Sequence, residues 1–121
     1  MRIYGVVWAG VRTERLAETA AFFRDVLGLP LHDLSEEIAW FKLPNGSEFE
    51  IFPSSDPDHA HFTTGPVPSF HVEDVHAAVE ELRAQGVETW GPWGGPAQGW
   101  AHFRAPDGNV YGLSAGAEYH R

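Results

Sequence analysis

VRTERLAETAAFFRDVLGLP, residues 11–30, is the stretch from which the fold is read. Leu16, Ala20, Phe23 and Leu27 recur at helical spacing and make one apolar stripe, with Arg15, Glu18 and Arg24 off it. Thr13 stands where an N-cap belongs, with Glu14 in the first turn. Gly28 can take the left-handed residue that ends a helix, Leu29 can fold back on the last turn, and Pro30 stops it. The stretch predicts a helix with a start, a buried face and a stop.

The chain repeats this pattern. From His71 onward, Val75, Val79 and Leu82 form a second stripe, and Gly86 takes the place of Gly28. Further on, WFKLPNGSEFEI (residues 40–51) aligns without a gap on HFRAPDGNVYGL (residues 102–113). Pro-Asn-Gly and Pro-Asp-Gly, each between alternating apolar residues, are hairpin turn signals. Each half reads strand, helix, strand, hairpin, so the chain is a tandem duplication. The predicted strands are 1–12, 38–43 and 48–52 in the first half. In the second they are 67–72, a short one near 88–89, 100–105 and 109–114. Residues 30–37 read as a polar connection and 91–99 as a Gly/Pro loop holding Trp93. The modules fall at 1–53 and 67–115, with a turn-rich linker over 54–66 and a polar tail over 116–121.

At 121 residues the chain suits one domain whose halves are too small to stand alone. No apolar run approaches the roughly 20 residues of a membrane span, and residues 1–12 lack the layout of a signal peptide. There is no Cys, which excludes a disulfide framework and a thiolate metal site. A cytoplasmic location is expected. The net charge of −9 speaks against nucleic acid, which needs clustered Lys and Arg. It favours a cationic ligand, although an acidic surface serves solubility equally well.

Strand alternation sorts the side chains onto two faces. Phe41, Phe49 and Ile51, and in the second half Phe103, Tyr111 and Leu113, suit the helix side. The opposite face collects Trp40, Lys42, Glu48, Glu50, Phe52, Trp100, His102, Arg104, Val110 and Gly112. Aromatic and polar groups mixed in this way make a poor core and a good ligand cavity. The expected architecture is α+β: two tandem βαβββ modules forming a curved mixed sheet around a concave pocket, with helices on the convex side.

Residues 11–29, ending Ala-Phe-Phe-Arg-Asp-Val-Leu-Gly-Leu, together with Ala-Pro-Asp-Gly-Asn-Val at 105–110, resemble the vicinal oxygen chelate superfamily. That group includes glyoxalases, bleomycin-resistance proteins and extradiol dioxygenases. The resemblance implies paired βαβββ modules and a homodimer, and it spans lyases, isomerases, dioxygenases and pure binders. It also implies a divalent metal in catalytic members, held from the first and last strands of both modules. Counted from the motifs, those places fall on Trp8, Glu50, Val67 and Gly112. Only Glu50 can ligate, and a catalytic ion needs about three protein ligands. No metal and no cofactor are expected.

The expected ligand-binding set is Trp8, Trp40, Glu48, Glu50, Trp93, Trp100 and His102, with Glu50 as polar anchor. His102 suits either an acid/base pair with Glu50 or Glu48, or a structural histidine bonded to a neighbouring strand. His59 and His61 suit a flexible polar linker better than a metal site. His71 and His76, at the start of the second helix, are expected to be solvated. The Gly-Pro-Trp-Gly-Gly-Pro run at 91–96 lacks the Lys and Ser/Thr of a phosphate loop and reads as a pocket rim. The expected function is metal-independent binding of a planar or cationic small molecule, with partners limited to ligand and self. The alternatives are a lyase, isomerase or dioxygenase, either metal-dependent through ligands in another register or metal-free with Glu50 and His102 catalytic, and a degenerate relative whose pocket is plugged by its own Trp residues.

Overall fold

A computed structural model describes residues 1–119. The chain divides into two compact units, one of residues 8–67 and the other of residues 1–7 with the chain from 68 onward.

In the unit of residues 8–67, β1 (Val6–Thr13, entering from the other unit), α1 (Leu16–Asp25), β2 (Leu31–Leu34), β3 (Ala39–Lys42) and β4 (Glu48–Pro53) follow in order. The strand order is β2-β3-β4-β1, antiparallel except for the parallel pair of β1 with β4. α1 packs on one face: Ala20 is buried with Ala39, Phe41 and Ile51, and Leu16, Phe23, Leu29 and Phe49 close around them. Leu27 does not continue the stripe and is 54% exposed. The helix stops at Asp25, so the expected periodicity runs out before Leu27, and Leu29 takes its place in the core. At the other end Thr13 is not the N-cap. Arg15 is, and the Thr13 hydroxyl, two residues before the cap position, accepts the Arg15 N–H at 3.1 Å.

The second unit repeats the plan. β5 (Val67–His71), α2 (Val75–Ala84), β6 (Thr89–Trp93), β7 (Trp100–Arg104) and β8 (Val110–Ser114) give the order β6-β7-β8-β5, with β5 and β8 parallel. Asp74 caps α2 by accepting the Ala77 N–H at 3.0 Å. Val72, Val75, Ala78 and Val79 bury against Ala101 and Leu113. Residues 1–5 join this unit by backbone bonds: Tyr4 N–H to the His71 carbonyl at 3.0 Å, and His71 N–H to the Gly5 carbonyl at 2.8 Å.

The duplication extends to the turns. Gly28 and Gly86 hold φ of 75° and 78° after their helices, a conformation that costs other residues about 1 kcal/mol or more. In the hairpins, Leu43 N–H bonds the Ser47 carbonyl at 2.9 Å and Ala105 N–H the Asn109 carbonyl at 3.0 Å. The fold is thus α+β, with two tandem βαβββ modules and a mixed sheet in each. Two strands exceed expectation. β2 lies inside the expected polar connection, and β6 carries Trp93 in a strand rather than in a loop. β2 is nearly all exposed and its Leu-His-Asp-Leu does not alternate; β6 breaks register between Trp90 and Trp93.

Candidate functional site

Alternation leaves one face of the first unit turned away from α1, and on it the strands bring together Trp8, Gly10, Trp40, Lys42, Glu48, Glu50 and Phe52. Glu48 and Glu50 stand two apart on β4 and so project to the same side. Glu48 is buried, and the Trp40 Nε1–H donates to its Oε2 at 2.7 Å. Glu50 is largely buried and accepts a hydrogen bond from the Trp8 side chain. Burial, then the charge of Glu48, push the Glu50 carboxyl from its ordinary 4.5 up to about 7, and the Trp8 bond pulls weakly the other way. Two neighbouring carboxyls, each met by an indole N–H, are the centre of this face.

Both indoles are placed by their surroundings. Trp40 has the Lys42 ammonium over its ring at 4.8 Å from the centroid and the His32 ring edge-on at 4.5 Å. Trp8 pairs with Glu48 across β1 and β4, while Gly10 pairs with Glu50. To reach Glu50 the Trp8 side chain leans over Gly10, where a Cβ would lie 2.0 Å from its Cη2 and 2.5 Å from its Cζ2. Only glycine leaves that space. Gly10 is therefore part of the site, although reading the strand for side chains passes over it.

The linker was expected to be flexible, and it is packed against this face instead. Residues Pro57–His59 form a 3-10 turn capped by Asp56. His59 bonds Asp56 through Nδ1 at 2.8 Å and stacks on Phe52 at 3.6 Å between centroids. Phe62 is buried and meets the Phe52 and Trp8 rings, each at 6.3 Å. Arg12 ties the turn down by donating to the Ala60 carbonyl at 3.2 Å. An aromatic residue within the polar run, Phe62, was the signal available for this packing.

The remaining predicted residues lie in the second unit. Trp93 stacks with Trp100 at 6.2 Å between centroids and tilts against His102 at 5.2 Å. Trp100 is 46% exposed, while His102 is buried in β7. His71, expected to be solvated, is fully buried between the rings of Tyr4 and Tyr119, each 5.3 Å away. It lies on β5, before the helix, where its side chain faces inward. His76 bonds the Gly94 carbonyl at 2.9 Å.

A divalent metal does not fit these residues. At the four counted positions Trp8 offers an N–H rather than a lone pair, Val67 and Gly112 offer nothing, and Glu50 remains alone. Among the described residues no three His, Cys, Asp or Glu side chains gather as a metal would need.

A sequence profile of the Glyoxalase/Bleomycin resistance protein/Dioxygenase superfamily matches residues 5–112. No curated protein matches the chain. Among solved structures it is similar to a Streptomyces coelicolor methylmalonyl-CoA epimerase variant in complex with 2-nitronate-propionyl-CoA. That pair shares 19% identity over 99% of this chain and 100% of that one, with a TM-score of 0.71. The Mycobacterium tuberculosis methylmalonyl-CoA epimerase gives 20% identity, 95% and 89% coverage and a TM-score of 0.68. A Glyoxalase/bleomycin resistance protein/dioxygenase superfamily member from Vibrio splendidus 12B01 gives 17%, 92% and 97%, and 0.63. Identities this low bear on fold alone. The profile runs through both repeated modules, and this chain belongs to the Glyoxalase/Bleomycin resistance protein/Dioxygenase superfamily.

Proposed function

We propose that the protein is a metal-independent binder that sequesters a small planar organic cation on the Trp8, Trp40, Glu48 and Glu50 face, acting as a cytoplasmic homodimer. Drug or metabolite sequestration of the bleomycin-resistance kind, and with it antibiotic resistance, is the working model. The observation that carries this reading is the pair of carboxyls on one strand face, flanked by indoles. Burial strips hydration from the pair and their charges repel. A flat cation relieves both, stacking on an indole while its charge meets the carboxyls.

The reading has a proton signature. A bound cation favours ionised Glu50, so ligand binding near the Glu50 value of about 7 expels a proton. Calorimetry of an aromatic cation in buffers of differing ionisation enthalpy should return about half a proton released per ligand at pH 7. Glu50→Gln should abolish the release and weaken the cation by roughly 1.5–3 kcal/mol. Binding without proton exchange, unchanged by Glu50→Gln, would refute the assignment.

The same carboxyl favours one other reading. A Glu at about 7 is matched to proton transfer at neutral pH, and epimerases stand among the structural neighbours. A lyase or isomerase using Glu50 as its base would incorporate solvent deuterium into a carbon acid such as methylmalonyl-CoA. Its rate would collapse in Glu50→Gln while affinity survived.

A further inference from the structure

We infer that Lys42 is a specificity-determining residue: its ammonium already fills the Trp40 end of the carboxyl face, so the face takes a flat molecule with one positive charge and rejects the same molecule with two. This rests on the binding reading above and narrows its ligand class.

The carboxyls by themselves would suit a dication. Glu48 and Glu50 share one face of β4, two residues apart. That spacing sets them about 7 Å apart along the strand, close to the separation of the two ring nitrogens in a 4,4′-bipyridinium. A plate laid along β4 with a charge at each end would meet both.

Lys42 changes the balance. On β3 it stands directly opposite Glu48, as Trp40 stands opposite Glu50. Its ammonium lies 4.8 Å from the centroid of the Trp40 ring, and the Nε1–H of that ring donates to Glu48 Oε2 at 2.7 Å. The Glu48 end therefore holds an indole donor and, over that indole, a resident cation, with the His32 ring edge-on at 4.5 Å. With all three groups ionised, two carboxylates and one ammonium leave one negative charge. It belongs to Glu50, whose neighbours across the sheet, Gly10 and Trp40, carry no charge.

The other charges of the unit do not alter this. At the Phe52 end Arg12, bonded to the Ala60 carbonyl, and Asp56, bonded to His59, are of opposite sign. Asp33 is exposed on β2, one strand farther from β4 than Lys42, where water screens it. A first ligand charge at Glu50 is compensated. A second, placed toward Glu48, meets the Lys42 ammonium over the same indole, and like charges brought together there are a penalty.

The test compares two cations of nearly one shape by calorimetry: 1-methyl-4-(4-methylphenyl)pyridinium, with one charge, and 1,1′-dimethyl-4,4′-bipyridinium, with two. At about 0.15 M salt, charges beyond roughly 8 Å are screened and the local ones remain. Wild type should bind the monocation about tenfold or more tightly than the dication. Lys42→Met keeps an unbranched chain over Trp40 and removes the charge, and should bring the dication level with the monocation, a relative gain of about tenfold. Lys42→Arg keeps the charge and should keep the wild-type preference. Monocation bound by wild type, with no preference over the dication or with the same preference in Lys42→Met, overturns the role of Lys42 and leaves the binding reading standing. Loss of the preference in Lys42→Arg as well would trace it to side-chain shape and overturn the charge argument. Neither compound bound by wild type overturns both this inference and the binding reading.

Discussion

The His59 imidazole lies 9° from parallel to the Phe52 ring, 3.6 Å between centroids, and its Nδ1 bonds Asp56 at 2.8 Å. Phe52 belongs to β4 and His59 to the segment that leads to the second repeat, so one stacking contact fastens that segment to the first sheet. His59→Ala removes the stack and the bond together. The expected cost is about 1–2 kcal/mol in urea unfolding, together with faster proteolysis within residues 54–66. Unchanged stability and cleavage would mean that the turn is held elsewhere.

Glu50 sets a stability slope with pH. Its folded value of about 7 lies above the 4.5 expected of an exposed carboxyl. Between those values the folded chain binds more protons than the unfolded one. Its contribution is therefore complete below 4.5, falls as pH rises, and is lost above about 7. The full change is at most about 3 kcal/mol, less to the extent that solvent reaches the site. Glu50→Gln should flatten the slope and leave the variant more stable than wild type at pH 8. Parallel pH–stability curves for the two proteins would show that Glu50 titrates normally.

The fold was legible because it is written twice. The Pro-Asn-Gly and Pro-Asp-Gly turns and the glycines after each helix are local signals with a single backbone meaning, and the faces of β3 and β4 follow from alternation. β2 was hidden because an exposed edge strand of Leu-His-Asp-Leu has no buried face to pattern it. Of the site, Trp40, Glu48 and Glu50 were legible as a group, since aromatic and acidic residues shared one face, whereas Trp8 came in only as the first of the metal positions that the family resemblance implies. Their pairing was not. That Trp8 reaches Glu50 over Gly10 depends on the offset between β1 and β4, which no single strand encodes. His59 and Phe62 were hidden by a polar, proline-rich run that marks a turn without saying what the turn packs against.

Trp40 and Glu48 offer a direct measure of how the indoles hold the carboxyls. Trp40→Phe keeps a smaller aromatic ring between Lys42 and His32 but leaves the buried Glu48 without the 2.7 Å bond. The expected loss is about 1–3 kcal/mol. In a double-mutant cycle with Glu48→Gln the two changes should couple by about 1 kcal/mol, because the weakened acceptor has less to lose. Additive losses would place the Trp40 contribution in ring packing alone.

A homodimer is expected from the sheet edges. Among the described residues β2 pairs only with β3 and β6 only with β7, so each unit offers a strand edge. Phe22, Val26 and Leu27 add exposed apolar side chains on and just after α1, at 49%, 70% and 54%. Sedimentation at micromolar concentration should give twice the 13.4 kDa chain mass. A sharp monomer boundary would exclude the dimer.

Gly10→Ala tests the geometry on which the site depends. Gly10 does not have positive φ, so its backbone accepts alanine, and the added Cβ would by itself be neutral or mildly favourable. The obstacle is the Trp8 ring, whose Cη2 would stand 2.0 Å away. The ring must swing aside, breaking its bond to Glu50 and loosening its contacts with Phe52 and Phe62. Overpacking of this kind costs roughly 1–3 kcal/mol, and the orphaned Glu50 should titrate above its present value of about 7. In a Trp8→Ala background nothing occupies the space, and the same Gly10→Ala change should cost almost nothing. Urea unfolding of the two single variants and the double variant gives the coupling, expected at about 1–3 kcal/mol. If the two losses simply add, the Trp8 ring does not rest over Gly10, and the route from Trp8 to Glu50 is wrong.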